Sequence, residues 1–331
     1  MKYLKTLLLL LFPIISLSQH IFEYEKQINN IENYKSVEIT FLNESKDFNL
    51  SGSLITPKND FDKIVIIIPG SGKDTRHSHY ILAQNLLENN ISVFRFDERG
   101  VGKSGGEYSE LAKDLAEDLS IIFTKLKNDN PDKKIGLIGH SLGGIAIIKT
   151  IEQGWIPDFT VLIETPIIKN GAFILNQIRM NYDNTIPQVI QKDRSKDEII
   201  SFLDSLFNYV AIDTVRSKKN IKQFIKKNGF STKYIALLND PFLMEMLQIN
   251  LEKTTQNLNI PTLYLAGTKD KVINHKKETE LLKSFHNKNI EIILYSDLNH
   301  WLTKRDSPVG TSLYLMDPDP LDKIISWVSS I

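Results

Sequence analysis

Residues Lys134–Ile148 read KIGLIGHSLGGIAII. A short apolar run, Ile135 to Ile138, breaks off into Gly139-His140-Ser141-Leu142-Gly143-Gly144. Apolar residues then resume at Ile145, Ile147 and Ile148, followed by the polar Lys149. This is the pattern of a strand that turns sharply into a helix with one serine at the turn. Glycine is needed two residues before and two after, at Gly139 and Gly143, because side chains there collide as strand and helix close on one another. The hydroxyl is left exposed, and the positive end of the helix points at a position where an oxyanion can develop.

The same alternation extends on both sides. "SVEITFL" (Ser36 to Leu42) and "FNLSGSLITP" (Phe48 to Pro57) read as a hairpin, the second strand alternating apolar and polar. "KIVIIIPG" is a continuous apolar run, as expected of a strand buried on both faces. "HYILAQNLLENN" reads as a helix and "SVFRFDERG" as a strand. Leu111, Leu115, Leu119, Ile122 and Leu126 then form one helical stripe. "FTVLIETP", "PTLYLAG" and "IEIILYS" supply three more strands. The fold class expected is α/β, a mostly parallel sheet with helices on both faces. Between Pro166 and Pro261 only helical patterns occur, such as Glu198 to Val210 with Ile199, Phe202, Leu203 and Leu206 on one face. This insertion leaves from the carboxyl end of a strand, where open α/β sheets hold their sites, and reads as a lid. The expected organisation is a core of 19–166 and 256–331 with a helical lid at 167–255.

Composition narrows the function. The chain has 331 residues, 41% hydrophobic and 24% charged, with Lys+Arg and Asp+Glu equal at 40 each. Balanced charge gives no reason to expect a nucleic-acid partner. The first residues combine Lys2 and Lys5, an apolar run from Thr6 to Ile15, and the small Ser16 and Ser18. They read as a signal peptide over 1–18, cut after Ser18, since the run is short for a membrane span and Pro13 interrupts it. With no cysteine there is no disulfide and no lipid-attachment thiol, so an exported periplasmic or secreted protein without a stable membrane span is expected. A Walker loop, an H-E-x-x-H and a G-x-G-x-x-G at a first strand are all missing, so no cofactor and no metal is expected.

Taken with its flanks, "IGLIGHSLGGIA" resembles the nucleophile elbow of the α/β-hydrolase fold. "IIIPGSG" with Asp74 and Arg76 after it, "VFRFDERGVGKSGG", "DPFLMEMLQIN", "IPTLYLAGTKDKVI" and "LNHWL" continue a resemblance to esterase-type serine hydrolases, near the serine aminopeptidase-like group. It runs from about Ser36 to the C-terminus. The resemblance implies Ser141 as nucleophile, and of the seven histidines it points to His300, after the last apolar strand, as base. His140 is expected to point away from the hydroxyl, and His77 and His79 to line a wall. The resemblance puts the acid at Asp270. Glu164, at the end of the strand after the elbow, is the rival, while Asp297 shapes the His300 loop. The oxyanion would be held by the N–H groups of Leu142 and Ser71, with Gly70 and Gly72 letting the backbone approach. Asp97 and Arg99 are read as ties of the "DERGVGKSGG" loop.

The leading expectation is hydrolysis of a small-molecule carboxylic ester through an acyl-enzyme, with Phe202, Leu206, Phe242, Leu243, Met244 and Leu247 of the insertion enclosing the acyl chain. An aminopeptidase-like hydrolase is the alternative, with Glu164 or Glu245 holding a free amine. A non-catalytic binding protein is a third, disfavoured by the complete triad. The basic stretch Arg216 to Lys233 reads as a solvated face, with attraction of an anionic substrate or surface as the functional reading.

Overall fold

A computed structural model of the chain describes residues 25–191, 193–212, 217–304 and 315–331. The proposed signal segment and Arg216 lie outside the described residues.

Eight strands form one sheet in the order β1-β2-β4-β3-β5-β6-β7-β8. They are β1 (Tyr34–Asn43), β2 (Phe48–Pro57), β3 (Lys63–Ile68), β4 (Ser92–Asp97), β5 (Lys134–His140), β6 (Phe159–Ile163), β7 (Thr262–Gly267) and β8 (Ile290–Tyr295). β2 runs antiparallel to both β1 and β4, and all other pairs are parallel. Burial follows from this order. Every residue of β3, β4, β6 and β7 is buried, which suits the apolar runs of β3, β6 and β7, while β4 also buries Ser92, Arg95 and Asp97; the edge strand β8 has none buried.

Helices cover both faces. α1 (Tyr80–Glu88) lies on one, its Leu82, Leu86 and Leu87 meeting Val65, Ile67, Val93 and Val161. α2 (Ala112–Asp129) and α3 (Leu142–Glu152) lie on the other, where Leu115, Leu119, Ile122 and Ile145 close over Ile64, Ile66 and Ile68. Between β6 and β7 the described chain is helical: α4 (Ala172–Met180), α5 (Tyr182–Thr185), α6 (Gln188–Gln191), α7 (Lys196–Ala211), α8 (Lys218–Lys227), a 3-10 turn (Thr232–Asn239), α9 (Pro241–Gln248) and α10 (Glu252–Gln256). These helices have a core of their own, in which Ile199, Leu203, Leu206, Ile225, Tyr234 and Leu247 are nearly inaccessible. α7 starts on a capping box between Ser195 and Glu198. α11 (His275–Ser284) follows β7, and α12 (Pro318–Ser330) packs Leu321, Ile324 and Val328 beside α1. Among the described residues no helix is long and apolar enough to cross a membrane.

Candidate active site

The carboxyl ends of the parallel strands converge on one region, and the elbow stands at the end of β5. Ser141 is held at φ 51° and ψ −113°, outside the regions ordinary residues occupy. Its N–H donates to Ile163 O at 2.8 Å, and its own carbonyl accepts from Gly144 and Ile145 N–H at 3.0 and 3.2 Å. The turn is thus anchored to β6 on one side and to α3 on the other. The close approach is real: a Cβ on Gly143 would run into the carbonyls of Ile68 and Pro69, and one on Gly139 into the backbone of Gly143 and Gly144.

The glycine loop after β3 lies against this turn. A Cβ on Gly70 would sit 3.0 Å from His140 Nδ1 and 3.3 Å from His140 O, and Gly72 takes φ 119°, a conformation only glycine adopts easily. Further along, Asp74 N–H donates to Glu98 at 2.7 Å. Arg76 grips Asp97 with Nε and Nη2 at 3.1 and 2.7 Å, and its N–H donates to the same carboxylate at 2.8 Å. Asp97 also accepts from Lys103 N–H at 2.9 Å. Asp97 therefore fastens the glycine loop to the end of β4, while Arg99 reaches the other way, to Asp118 on α2 at 2.8 Å.

His300 stands beyond β8, nearly buried. Its Nδ1 is 2.7 Å from Asp270 Oδ2. The other Asp270 oxygen accepts from Val272 and Ile273 N–H at 2.5 and 3.1 Å. Burial alone would raise the Asp270 carboxyl, but the His300 charge and these hydrogen bonds outweigh it and the net shift is downward. A carboxylate held this way keeps its charge and fixes the proton of His300 on Nδ1, leaving Nε2 free to take a proton. His140 contributes from below: its Nε2 donates to the His300 carbonyl at 2.8 Å, and its ring lies 5.0 Å from the His300 ring. Burial holds His140 well below the ordinary histidine range, so it stays neutral. Ser141 and His300 make no hydrogen bond to one another; such bonds commonly tighten only when substrate arrives.

Of the remaining candidates only Glu164 reaches the pair, with a carboxyl oxygen within 4.8 Å of Asp270 and His300. Burial pushes His77 and His79 down to about 4, with the Arg95 charge adding to it. His79 packs 5.7 Å from the His140 ring. Asp297 pairs with Lys269 at 3.6 Å. Glu245 is not free to hold an amine, because its two oxygens accept from Ala112 and Lys113 N–H at 2.7 and 2.9 Å and so cap the start of α2. Glu164 is completely buried, with one oxygen accepting from Gly267 N–H. Of the six insertion residues expected around an acyl chain, Phe202, Leu206, Leu243 and Leu247 pack into the insertion's own core, with Met244 against it. Phe242 instead faces the sheet-side core, edge-on to Phe173 at 6.3 Å. Glu278 on α11 was not singled out from sequence. It is almost inaccessible and accepts from Ile167 and Ile168 N–H at 3.0 and 3.2 Å, fixing the chain as it leaves β6. The available signal was a charged residue one helical turn before the buried Leu282.

Comparison with known proteins agrees with this architecture. A family model described as serine aminopeptidase, S33, matches residues 59–181. Monoglyceride lipase of Rattus norvegicus is 26% identical over 257 residues, covering 75% of this chain and 76% of that protein. The uncharacterized protein YfhR of Escherichia coli O157:H7 is 32% identical over 103 residues, which is 36% of its length. Among solved structures, Pyrococcus furiosus esterase Pf2001 superposes with a TM-score of 0.60 at 18% identity, covering 95% of this chain and 99% of that one. An esterase from Exiguobacterium antarcticum does so with a TM-score of 0.52 at 14% identity, covering 88% and 98%. The chain has the α/β-hydrolase fold. Over residues 59–181 it is similar to the serine aminopeptidase family, and over three quarters of its length to a monoglyceride lipase.

Proposed function

We propose that the protein cleaves carboxylic esters of small molecules through an acyl-enzyme, with Ser141, His300 and Asp270 as the triad. The observation that carries this reading is the 2.7 Å contact between His300 Nδ1 and Asp270, on a loop tied by His140 to the strand that presents Ser141. Ser141 Oγ attacks the ester carbonyl carbon while its proton passes to His300 Nε2. The oxyanion is held by the N–H groups of Leu142 and Ser71. His300 returns the proton to the departing alkoxide, which leaves as an alcohol. Water then attacks the acyl-enzyme by the same proton route, releasing the acid and restoring Ser141. The Asp270 carboxylate stabilises the imidazolium formed in each step.

The helical insertion acts as a lid in this reading, with Phe242 as the contact to the acyl chain. Export through the N-terminal segment completes it, with the mature chain starting at or near Gln19; an N-terminal sequence from the native host that begins at Met1 would rule this out. The family model's description favours a second reading, aminopeptidase-like cleavage. Against it, Glu245 is committed to capping α2 and Glu164 is sealed behind Asp270. Rates on p-nitrophenyl esters beside amino-acid p-nitroanilides separate the two. Esters are expected to be far the better substrates, and a preference for anilides with a free amine would replace the ester reading.

A further inference from the structure

Two carboxyl groups, not one, lie behind His300. Glu164 follows β6 at φ 45°, a left-handed conformation unusual for glutamate, and has no exposed surface. One of its oxygens accepts from the N–H of Gly267, at the end of the strand that carries Asp270. The other, Oε2, is buried without a partner of good geometry. A ligand oxygen of Glu164, one of Asp270 and a ring nitrogen of His300 all lie within 4.8 Å of one another. Two carboxylate charges at that separation, buried and facing a single imidazole, repel each other strongly, so one proton must stay with the pair. Asp270 is the member that can remain ionised, since it receives three hydrogen bonds, from His300 Nδ1 and from Val272 and Ile273 N–H.

We propose that Glu164 is a positioning residue that stays protonated at neutral pH and offers its Oε2–H to Asp270, so that Asp270 alone carries the negative charge behind His300. This rests on the triad reading above. The neutral acid braces β6 against β7 through Gly267 and draws off part of the Asp270 charge, which sets how strongly the imidazolium is held. The electrostatics agree in direction: burial and then the Asp270 charge push the Glu164 carboxyl well up, while the neighbouring Asp270 is lowered. The titratable groups packed around the pair are His300, Tyr264 on β7, His140 on β5, and Glu278 and His275 on α11. Tyr264 donates to Thr165 O at 2.9 Å and is itself neutral. The charge that acts on Glu164 is that of Asp270.

Infrared difference spectra at pH 7, wild type minus Glu164→Gln, test the proton directly and need no turnover. A protonated-carboxyl C=O band is expected in the wild type and absent from the variant. In kinetics, Glu164→Gln keeps a neutral acceptor and donor and is expected to lower kcat by less than about tenfold. Glu164→Leu removes both and is expected to lower it by about 100-fold. Without the donor, Asp270 holds the imidazolium more tightly, so the acid limb of kcat/KM should move to higher pH by about 0.5–1 unit in Glu164→Leu and stay in place in Glu164→Gln. An absent band together with loss of activity in Glu164→Gln would overturn the proposal and make Glu164 the ionised acid. Equal small effects of Gln and Leu with an unmoved acid limb would also overturn it, leaving packing only. Full activity in Ser141→Ala would sink the triad reading instead, and the infrared band would then stand or fall by itself.

Discussion

His300 Nδ1 and Asp270 Oδ2 are 2.7 Å apart and both side chains are buried, so the pair is shielded from solvent and from salt. The residues come from different strand ends, 30 positions apart in the chain. Asp270→Asn replaces the acceptor by a group that favours the wrong imidazole tautomer. The expected result is a loss of kcat by about 10³–10⁴-fold with an unchanged fold, read by steady-state kinetics and circular dichroism. Activity within tenfold of wild type would move the acid elsewhere.

The elbow makes a stability prediction. Gly143 faces two backbone carbonyl groups, of Ile68 at the end of β3 and of Pro69 just after it, so an added methyl group meets backbone rather than a flexible side chain. Gly143→Ala should therefore destabilise the protein by more than about 2 kcal/mol, measured by denaturant unfolding, and perturb labelling of Ser141 even where folding survives. Gly154→Ala is the control, since a Cβ there meets nothing within 4 Å, although its φ of 101° still carries backbone strain.

Buried titratable groups give opposite pH slopes to stability. Glu278 is pushed up to about 8 by burial, so the folded state holds a proton that the unfolded state releases near the ordinary 4.5. That contribution is fully present below 4.5 and is lost as pH rises toward 8. His77 and His79, down at about 4, work the other way. Their contribution is present above 6.5 and is lost as pH falls toward 4. Glu278→Gln keeps an acceptor for Ile167 and Ile168. Relative to wild type it should gain at least about 1 kcal/mol between pH 5 and pH 8 in urea titrations. A parallel pH profile would mean that Glu278 is ionised when folded.

The insertion separates packing from substrate contact. Leu247 is inside the insertion's own core and beside Gly171, so Leu247→Ala should cost about 2–4 kcal/mol and leave the acyl-length preference unchanged. Phe242→Ala should shift the optimum on a series of p-nitrophenyl esters toward longer acyl chains, each added CH₂ being worth about 0.8 kcal/mol until the pocket is full. An unshifted optimum in Phe242→Ala would remove Phe242 from the acyl site.

Much of this was legible because local rules acted alone. The Ile64–Ile68 run is apolar since β3 is covered on both faces, and the glycines flanking Ser141 are required by carbonyls a few ångströms away. Asp270 and His300, expected from the resemblance, lie in the short loops after β7 and β8, where the structure brings them to 2.7 Å. Contacts made by long-range packing were not legible. Glu245 caps a helix 133 positions earlier, and Glu278 holds a segment 111 positions away; neither spacing has a period that a sequence displays. α12 went unread, although Asp317 caps it and Pro318 opens it. The six apolar insertion residues looked alike in sequence, and only packing separated Phe242 from the other five.

Covalent labelling with a fluorophosphonate, followed by peptide mapping, tests the central claim most directly. The account predicts a single adduct on Ser141, none in Ser141→Ala, and labelling slowed by about 10³-fold or more in His300→Ala, with the double variant little worse than either single one. An adduct on another serine, or labelling of Ser141 at an unchanged rate in His300→Ala, would contradict it.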